Sequence, residues 1–252
     1  MVIPGKKDIP RLAVVLAGGK GTRLHGVILG PKILVRFAGR PFLDHLLRWL
    51  AAEGIREVVL LTGFGHRAIG EYARDGRRWG LRVRYVTESP GRLLGTGGAV
   101  RRALSAIRDD AFFLMNGDSF FPVSLAPLAD LHRRRNARVT LAVTRVPEVS
   151  RFGAVLRDRA GRGTAFLEKG RRGPGWVNMG LYVVRREAIA RLPAGRPASI
   201  ERDLFPALVG RGLWTWPAPV GHLDFGTPES LREALRKYGT AENGKWRMER
   251  NG

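Results

Sequence analysis

Residues 12 to 24 read LAVVLAGGKGTRL, an apolar run followed by a glycine-rich turn. The run predicts a buried strand, and the turn after it holds three glycines and three polar side chains, namely Gly18, Gly19, Gly21, Lys20, Thr22 and Arg23. Glycines let backbone N–H groups approach oxygen ligands closely, and Arg23 can offer phosphate a planar fork of donors. The segment favours polyphosphate binding over the alternative, an ordinary strand-to-helix turn. It matches neither the dinucleotide pattern G-x-G-x-x-G nor the P-loop.

Strands and helices alternate along the first half of the chain. Short apolar runs predict strands near 11–17, 56–62, 81–86 and 111–116, and helical patterns lie near 41–53, 66–76 and 97–107. This alternation predicts an α/β, Rossmann-like fold with a mostly parallel central sheet and helices on both faces. In such folds the ligand lies at the carboxyl ends of the strands. Both the turn at 18–23 and the pair Gly117-Asp118 follow predicted strand ends.

From residue 137 onward the pattern changes to strands with hairpin-like breaks. These strands are expected near 138–146, 152–157, 164–168 and 176–185. They predict a smaller mixed sheet that serves as a substrate lid. A helix near 199–209, strands within 213–225 and a final helix from Pro228 complete the unit.

Composition is compatible with one globular unit. A chain of 252 residues with 44% hydrophobic content can bury one sizeable core. No apolar run approaches the roughly 20 residues of a membrane span, and the start MVIPGKKDIP has no apolar signal segment. With no cysteine, the chain can form no disulfide, thiolate nucleophile or cysteine metal site. We expect a cytosolic protein that does not bind membranes.

The net charge is unusually high. The 44 basic and 22 acidic residues give a formal charge of +22, which first suggests nucleic-acid binding. The basic residues are spread through many short stretches, such as RRWGLRVR, HRRRN and KGRRG, and no nucleic-acid-binding motif accompanies them. We therefore expect a solvated surface that attracts anionic substrates and no specific nucleic-acid partner.

Six further segments carry chemistry-bearing residues. They are GPK at 30–32, LLGTGGAV at 93–100, LMNGDSF at 114–120, FLEKG at 166–170, VNMGLYV at 177–183 and HLDFGTPESL at 222–231. In this order they resemble the motifs of the sugar-phosphate nucleotidyltransferases, which join a sugar 1-phosphate to a nucleoside triphosphate. Within that family the chain is most similar to the short bacterial D-glycero-D-manno-heptose 1-phosphate guanylyltransferases. That similarity lies chiefly in GTGGA, LDFGTP and SIERDLFPALV at 199–209.

The resemblance implies a single nucleotidyltransferase domain over 11–236. It comprises a nucleotide-binding half at 11–136 and a sugar-binding half at 137–236, followed by a polar tail at 237–252. The expected partners are a nucleoside triphosphate and a sugar 1-phosphate, with GTP and the manno-configured heptose preferred. Mannose 1-phosphate guanylyl transfer, glucose 1-phosphate thymidylyl or uridylyl transfer, and a non-catalytic sugar-nucleotide-binding regulatory subunit are the alternatives. The oligomeric state, a homodimer included, stays open.

The resemblance also implies a magnesium site and three catalytic cations. Asp118 and Asp224 each follow an apolar strand position and are expected to share Mg²⁺, because this ion needs only one or two carboxylates beside phosphate oxygens and water. The alternative for either aspartate is a turn or helix-cap role. The cations are Arg23, Lys32 and Lys169. The chain reads PKIL where the family usually reads PKPL, which changes the expected loop around Lys32.

The remaining predicted site residues contact the two substrates. The nucleotide is assigned to Leu16, Ala17, Gly18, Gly19, Gly21, Thr22, Glu88, Gly95, Thr96 and Gly97. The sugar is assigned to Gly153, Glu168 and Asn178. Gly97 could instead start the following helix, and Asn178 could satisfy strand ends. The segment TESPGRLLG is about two residues longer than family forms, and Glu88 is the chosen reader of the base.

Overall fold

The computed structural model describes residues 9–19, 21, 24, 26–28, 30–89, 91, 93–119, 123–167, 170, 172–219 and 224–238. The strands among these residues are β1 (Leu12–Leu16), β2 (Arg36–Phe37), β3 (Arg40–Pro41), β4 (Glu57–Thr62), β5 (Arg82–Thr87), β6 (Ala111–Asn116), β7 (Val139–Val146), β8 (Ala154–Arg157), β9 (Gly163–Leu167), β10 (Gly175–Arg185) and β11 (Leu213–Pro217). The α-helices are α1 (Phe42–Ala52), α2 (His66–Ala73), α3 (Gly95–Arg102), α4 (Ala126–Arg134), α5 (Arg186–Ala190), α6 (Phe205–Leu208) and α7 (Pro228–Tyr238).

Seven strands form the central sheet in the order β11-β7-β10-β6-β1-β4-β5. Four of its six neighbouring pairs are parallel, and β10 alone runs antiparallel to both neighbours. Because β10 lies between β6 and β7, the sheet joins the first half of the chain to the second without interruption. The smaller mixed sheet expected after residue 137 is therefore not seen among the described residues, because β7 and β10 belong to the central sheet. Of the strands expected in it, β8 and β9 alone form a separate sheet, which is antiparallel.

Both faces of the central sheet are buried. Along β1, Leu12 and Val14 belong to one apolar cluster, whereas Ala13 and Val15 belong to the other. This split follows from the strand period of two, which sends alternate side chains to opposite faces. Helices α1, α2, α4 and α7 cover one face, and α3, α5 and α6 cover the other. The predicted α/β fold with a mostly parallel sheet and helices on both faces is confirmed.

Two predicted elements differ from the structure, and one observed helix was not predicted. The strands expected within 213–225 reduce to β11, which ends at Pro217, and residues 220–223 lie outside the described part. The helix expected near 199–209 is a π-helical turn, Ile200–Leu204, followed by α6. Pro206 has no N–H to donate, which interrupts the α-helical bonding there. Helix α4 was not predicted, because its Pro127 resembles a helix breaker but lies in the first turn, where proline is tolerated.

None of the described helices is long and apolar enough to cross a membrane. Several arginines lie against aromatic rings on the surface. Arg135 and Arg162 lie over the Trp214 ring, 4.5 and 5.3 Å from its centroid, and Arg78 lies 3.8 Å from the centroid of Trp79. These contacts bury the guanidinium planes on apolar surface while leaving their charge to solvent.

Candidate active site

The ends of β1 and β6 approach each other closely at one edge of the sheet. Gly117 N–H donates to the Leu16 carbonyl oxygen at 3.0 Å, and a Cβ on Gly117 would lie only 2.7 Å from that oxygen. Any larger residue would force the two strand ends apart. Gly117 therefore holds Asp118 next to the glycine-rich turn that follows β1.

Two carboxylates and one ammonium group meet at Gly226. A Cβ on Gly226 would lie 3.4 Å from Asp224 Oδ1, 3.5 Å from Asp118 Oδ2 and 3.8 Å from Lys32 Nζ. Backbone pairing brings the segments together, since Phe225 N–H donates to the Asp118 carbonyl oxygen at 3.0 Å. Lys32 Nζ also lies 3.4 Å from Asp118 Oδ2. The structure thus joins three predicted site residues that are far apart in the chain.

Asp224 is held in place by the start of α7. Its Oδ1 accepts hydrogen bonds from Gly226 N–H at 2.9 Å and from Ser230 Oγ at 3.0 Å. Ser230 is itself fixed by Thr227, because the Ser230 N–H donates to Thr227 Oγ1 and the Thr227 N–H donates to Ser230 Oγ. Ser230 was not predicted as a site residue, although it lies inside the quoted segment HLDFGTPESL.

This donor set fits a hard divalent cation. Both side chains offer oxygen, and Asp224 is oriented by hydrogen bonds as metal-ligating carboxylates usually are. The described residues contain no cluster of three or more acidic, histidine or cysteine side chains that could hold a metal ion. A cation at this position would therefore depend on two carboxylates, phosphate oxygens and water.

A cavity of about 290 Å³ opens beside these groups. Its lining includes nine predicted site residues, namely Leu16, Ala17, Gly18, Gly19, Lys32, Glu88, Gly95, Thr96 and Asp118. It also includes six residues that the sequence reasoning missed, namely Ile33, Leu61, Leu93, Ala99, Asn116 and Gly117. Four of these six, Ile33, Leu61, Leu93 and Ala99, have apolar side chains, which carry no local signal for ligand contact. The cavity lies at the carboxyl ends of β1, β4 and β6, where the predicted topology puts a ligand.

Glu88 is the buried acidic group of the cavity. Its side chain follows β5 and is 6% exposed, and its Oε1 accepts a hydrogen bond from Leu94 N–H at 3.0 Å. Burial raises the pKa of the Glu88 carboxyl, and the Leu94 N–H and the charge of Arg102 offset this effect only in part. Glu88, the predicted reader of the base, therefore links the start of the TESPGRLLG loop to the start of α3 through this hydrogen bond.

The GTGGA segment packs tightly on a distant loop. Gly95 has a φ of +69°, and a Cβ there would lie 2.7 Å from the Ala198 carbonyl oxygen. That oxygen accepts a hydrogen bond from Gly97 N–H at 2.8 Å, and Thr96 Oγ1 accepts one from Ile200 N–H at 3.0 Å. Gly97 lies outside the cavity lining and serves this packing. Helix α3 begins at Gly95, two residues before the predicted start.

The other predicted residues lie outside the cavity or outside the described part of the chain. Gly21, with a φ of +62°, lies against the Lys32 side chain, 3.3 Å from a built Cβ to Lys32 Cε. Gly153 occupies a turn with a φ of +77°, and Asn178 lies within β10. Neither lines the cavity. The residues that are not described are Thr22, Arg23, Glu168 and Lys169.

Comparisons with known proteins show which proteins this chain is similar to. A relative from Mycobacterium tuberculosis, a mannose-1-phosphate guanylyltransferase, is 42% identical over 224 residues, which are 87% of this chain and 62% of that protein. The chain thus spans less than two thirds of that relative. A D-glycero-alpha-D-manno-heptose 1-phosphate guanylyltransferase from Aneurinibacillus thermoaerophilus is 31% identical over 227 residues, which are 89% of this chain and 97% of that protein.

A solved structure has the same fold. HddC from Yersinia pseudotuberculosis, crystallised in complex with GMP-PN, superposes with a TM-score of 0.77 at 27% identity, over 90% of this chain and 99% of that one. The family model described as nucleotidyl transferase matches residues 12–241. That span contains β1, both aspartates and every strand of the central sheet. The chain therefore belongs to the nucleotidyl transferase family.

Proposed function

We propose that this protein transfers a nucleoside monophosphate unit from a nucleoside triphosphate to a sugar 1-phosphate and releases pyrophosphate. The observation that carries the proposal is the meeting of Lys32, Asp118 and Asp224 at Gly226, beside a cavity bounded by the glycine-rich turn. Cationic and metal-binding groups at that point suit a triphosphate. Membership of the nucleotidyl transferase family supports the same reaction.

The reaction brings several negative charges together, so charge neutralisation and positioning are the main tasks of the protein. An oxygen of the sugar phosphate attacks the α-phosphorus, and the bond from that phosphorus to the pyrophosphate oxygen breaks. Lys32 reduces the repulsion between the two substrates. The backbone at Gly18 and Gly19 can approach phosphate oxygens because no Cβ intervenes. Mg²⁺, held by Asp118 and Asp224, would supply further positive charge to the phosphate oxygens.

Glu88 supports guanine as the base. Guanine presents two adjacent donors, its ring N–H and its amino group, and an ionised carboxylate can accept from both. Uracil and thymine flank their ring N–H with carbonyl oxygens, which a carboxylate repels. Glu88 lines the cavity and uses one oxygen for Leu94 N–H, which leaves lone pairs for a ligand. We propose GTP as the preferred triphosphate on this basis.

We propose D-mannose 1-phosphate as the preferred sugar substrate. The 42% identical relative is named for mannose 1-phosphate, although this chain spans only 62% of it. The second candidate is D-glycero-D-manno-heptose 1-phosphate, and it is favoured by the 31% identical relative, 97% of which this chain spans. Both sugars have the manno configuration, so the two candidates differ by one carbon outside the ring.

A panel of substrates tests the proposal. GTP, ATP, UTP and dTTP are each combined with mannose, heptose and glucose 1-phosphates in the presence of Mg²⁺, and pyrophosphate release gives kcat/KM. We expect GTP with mannose 1-phosphate to give the largest value and the heptose to come second. A larger value for UTP or dTTP with glucose 1-phosphate would overturn the guanylyl proposal. Tight binding of GDP-mannose without any turnover would indicate a non-catalytic regulatory subunit.

A further inference from the structure

The segment SIERDLFPALV, residues 199–209, has entered the site so far only through the Ile200 N–H, which donates to Thr96. Its polar ends build the turn: Ser199 Oγ accepts from Arg202 N–H at 3.2 Å, and Asp203 Oδ2 accepts from Ser199 N–H at 2.6 Å. Ile200 and Leu204 are buried in the core. Glu201 differs from all of these, because it is exposed and contributes nothing to the cap or the core. Its place in the segment therefore needs another explanation.

Asn178 directs Glu201. The Asn178 Nδ2 group donates to the Tyr182 hydroxyl oxygen at 2.8 Å and to Glu201 Oε1 at 3.2 Å, and Asn178 Oδ1 accepts from Gly180 N–H at 3.0 Å. A side-chain amide has two N–H donors, and both are used here. Asn178 therefore has no donor left for a substrate. It fixes the Glu201 carboxylate instead.

Glu201 keeps acceptor capacity that the protein does not use. Among the residues that the structure describes, none forms an ion pair with it, and its Oε2 receives no hydrogen bond from them. This is notable in a chain with 44 basic and 22 acidic residues. An ionised carboxylate accepts hydrogen bonds at both oxygens, and those from hydroxyl groups are short and strong.

The position of Glu201 connects it with the reaction centre. Its neighbour Ile200 donates to Thr96, which lines the nucleotide cavity. Tyr182, which accepts from Asn178, is fully buried; burial raises the pKa of the Tyr182 hydroxyl, and the carboxylates of Glu201 and Asp118 raise it further. The carboxylates of Glu201 and Asp118 thus both act on the Tyr182 hydroxyl. Glu201 thus bonds to Asn178 in β10, while its chain neighbour Ile200 bonds to Thr96 in the cavity lining.

We propose that Glu201 is a specificity-determining residue that accepts hydrogen bonds from hydroxyl groups of the sugar 1-phosphate, and that Asn178 is a positioning residue that holds it. The proposal rests on the proposed function. A carboxylate repels the phosphate end of this substrate and attracts its hydroxyl end, so Glu201 also sets the direction in which the sugar lies. In this proposal Glu201, and not Asn178 as the sequence predicted, makes the contact with the sugar.

Three variants test this role. Glu201→Gln keeps the shape of the side chain and removes its charge. Glu201→Asp keeps the charge on a side chain that is shorter by one methylene group. Glu71→Gln is the control, because Glu71 is an exposed glutamate on α2. Steady-state kinetics give separate KM values for GTP and mannose 1-phosphate. We expect Glu201→Gln to raise the sugar KM by about 10- to 100-fold, as loss of a charge-assisted hydrogen bond predicts, with the GTP KM within about twofold. The sugar KM of Glu201→Asp should lie between those of the wild type and Glu201→Gln, and both KM values of Glu71→Gln should match the wild type.

Deoxy sugars sharpen the test. If Glu201 accepts from a particular hydroxyl, the sugar 1-phosphate that lacks this hydroxyl loses affinity in the wild type but not in Glu201→Gln. Isothermal titration with GDP-mannose gives the same comparison without turnover. A sugar KM in Glu201→Gln within about twofold of the wild type would overturn the proposal. Equal rises in both KM values would also overturn it, since they indicate a structural role. Failure of the proposed function is distinct, because the wild type would then release no pyrophosphate with any pair.

Discussion

The first and second halves of the chain build their parts of the proposed site in different ways. In the first half, Gly18 and Asp118 lie two residues after the ends of the parallel strands β1 and β6, and these ends share one edge of the sheet. In the second half, Asn178 lies inside β10, which is antiparallel to both neighbours, and the register of β10 with β7 shifts between Asn178 and Tyr182. The positions of Gly18 and Asp118 follow from the strand order of the sheet. The position of Asn178 follows from the local register shift in β10.

The irregularity in β10 depends on a glycine. Gly180 has a φ of +79°, and a Cβ there would lie 2.5 Å from Asn116 Nδ2. The shift therefore lets the Asn116 side chain, at the end of β6, lie against the backbone of β10. Bulges of this kind re-aim side chains beside functional sites. Here the shift connects the cavity-lining end of β6 with the Asn178–Glu201 pair.

The largest effect is expected where the two halves meet. Asp118→Asn and Asp224→Asn each remove a charge from the carboxylate pair, and each should lower kcat at least about a hundredfold, because cation binding and charge stabilisation are lost together. Pyrophosphate release measures the effect, and circular dichroism checks folding. Near-normal kcat in either folded variant at ordinary Mg²⁺ would remove that residue from the site. A chelator should abolish wild-type turnover in the same assay.

Gly226→Ala complements the aspartate variants. Its added methyl meets its neighbours at ordinary contact distances of 3.4 to 3.8 Å, so the fold should tolerate it. The methyl nevertheless occupies the point where the three charged groups meet. We expect a loss of turnover of about tenfold or more with an unchanged unfolding midpoint. Unchanged turnover would show that the substrates do not need this space.

Two glycine substitutions in the second half of the chain separate backbone strain from a steric clash. Gly180→Ala combines a positive φ with the contact on Asn116 and should destabilise the fold by about 3 kcal/mol. Gly195→Ala is the matched control, since Gly195 has a φ of +67° and no atom within 4 Å of a built Cβ, and it should cost about 1 kcal/mol. Urea unfolding gives both values. Equal losses would mean that Asn116 moves aside freely.

Substitutions of two lysines test whether the two halves of the chain bind different substrates. Lys32→Ala should raise the KM for GTP about tenfold, because Lys32 lines the cavity that we propose holds the triphosphate. Lys169 lies outside the described residues, and its role stays a prediction from the FLEKG motif. Lys169→Ala should raise chiefly the KM for sugar 1-phosphate. If it altered the GTP value alone, the motif assignment would be wrong.

An effect no larger than that of Lys32→Ala is expected at the base. Glu88→Gln should lower the preference for GTP over UTP about tenfold by removing a charged acceptor, as measured by the ratio of kcat/KM values. Because burial raises the pKa of Glu88, the wild-type carboxyl takes up a proton at higher pH than an exposed glutamate does. Its preference should therefore decline as the pH falls, whereas that of Glu88→Gln should stay constant. Parallel pH profiles would exclude Glu88 as the base reader.

The predictions of strands agreed best with the structure where a short apolar run lies between two turn signals in the sequence. Strands β1, β4, β5 and β6 were predicted to within a residue or two, because apolar runs between turns have few other folds available. Nine of the predicted site residues also line one cavity. Gly97 and Asn178 behaved differently. Each bonds to a partner in the segment around 198–201, about a hundred and about twenty residues further along the chain, and no local signal announces such a partner.

The amino-acid sequence by itself determined the α/β class, the strand ends that carry the glycine-rich turn and Asp118, and the family. These features follow from periodicity and from motifs that are contiguous in the chain. Only the tertiary structure decided that Ser230 orients Asp224 and that the GTGGA glycines leave room for Ala198. It also decided that the Asn178 side-chain amide donates to Glu201. Hydrogen bonds and close contacts between distant segments depend on how the sheet and its loops pack, and that information is shared among residues that no single stretch contains.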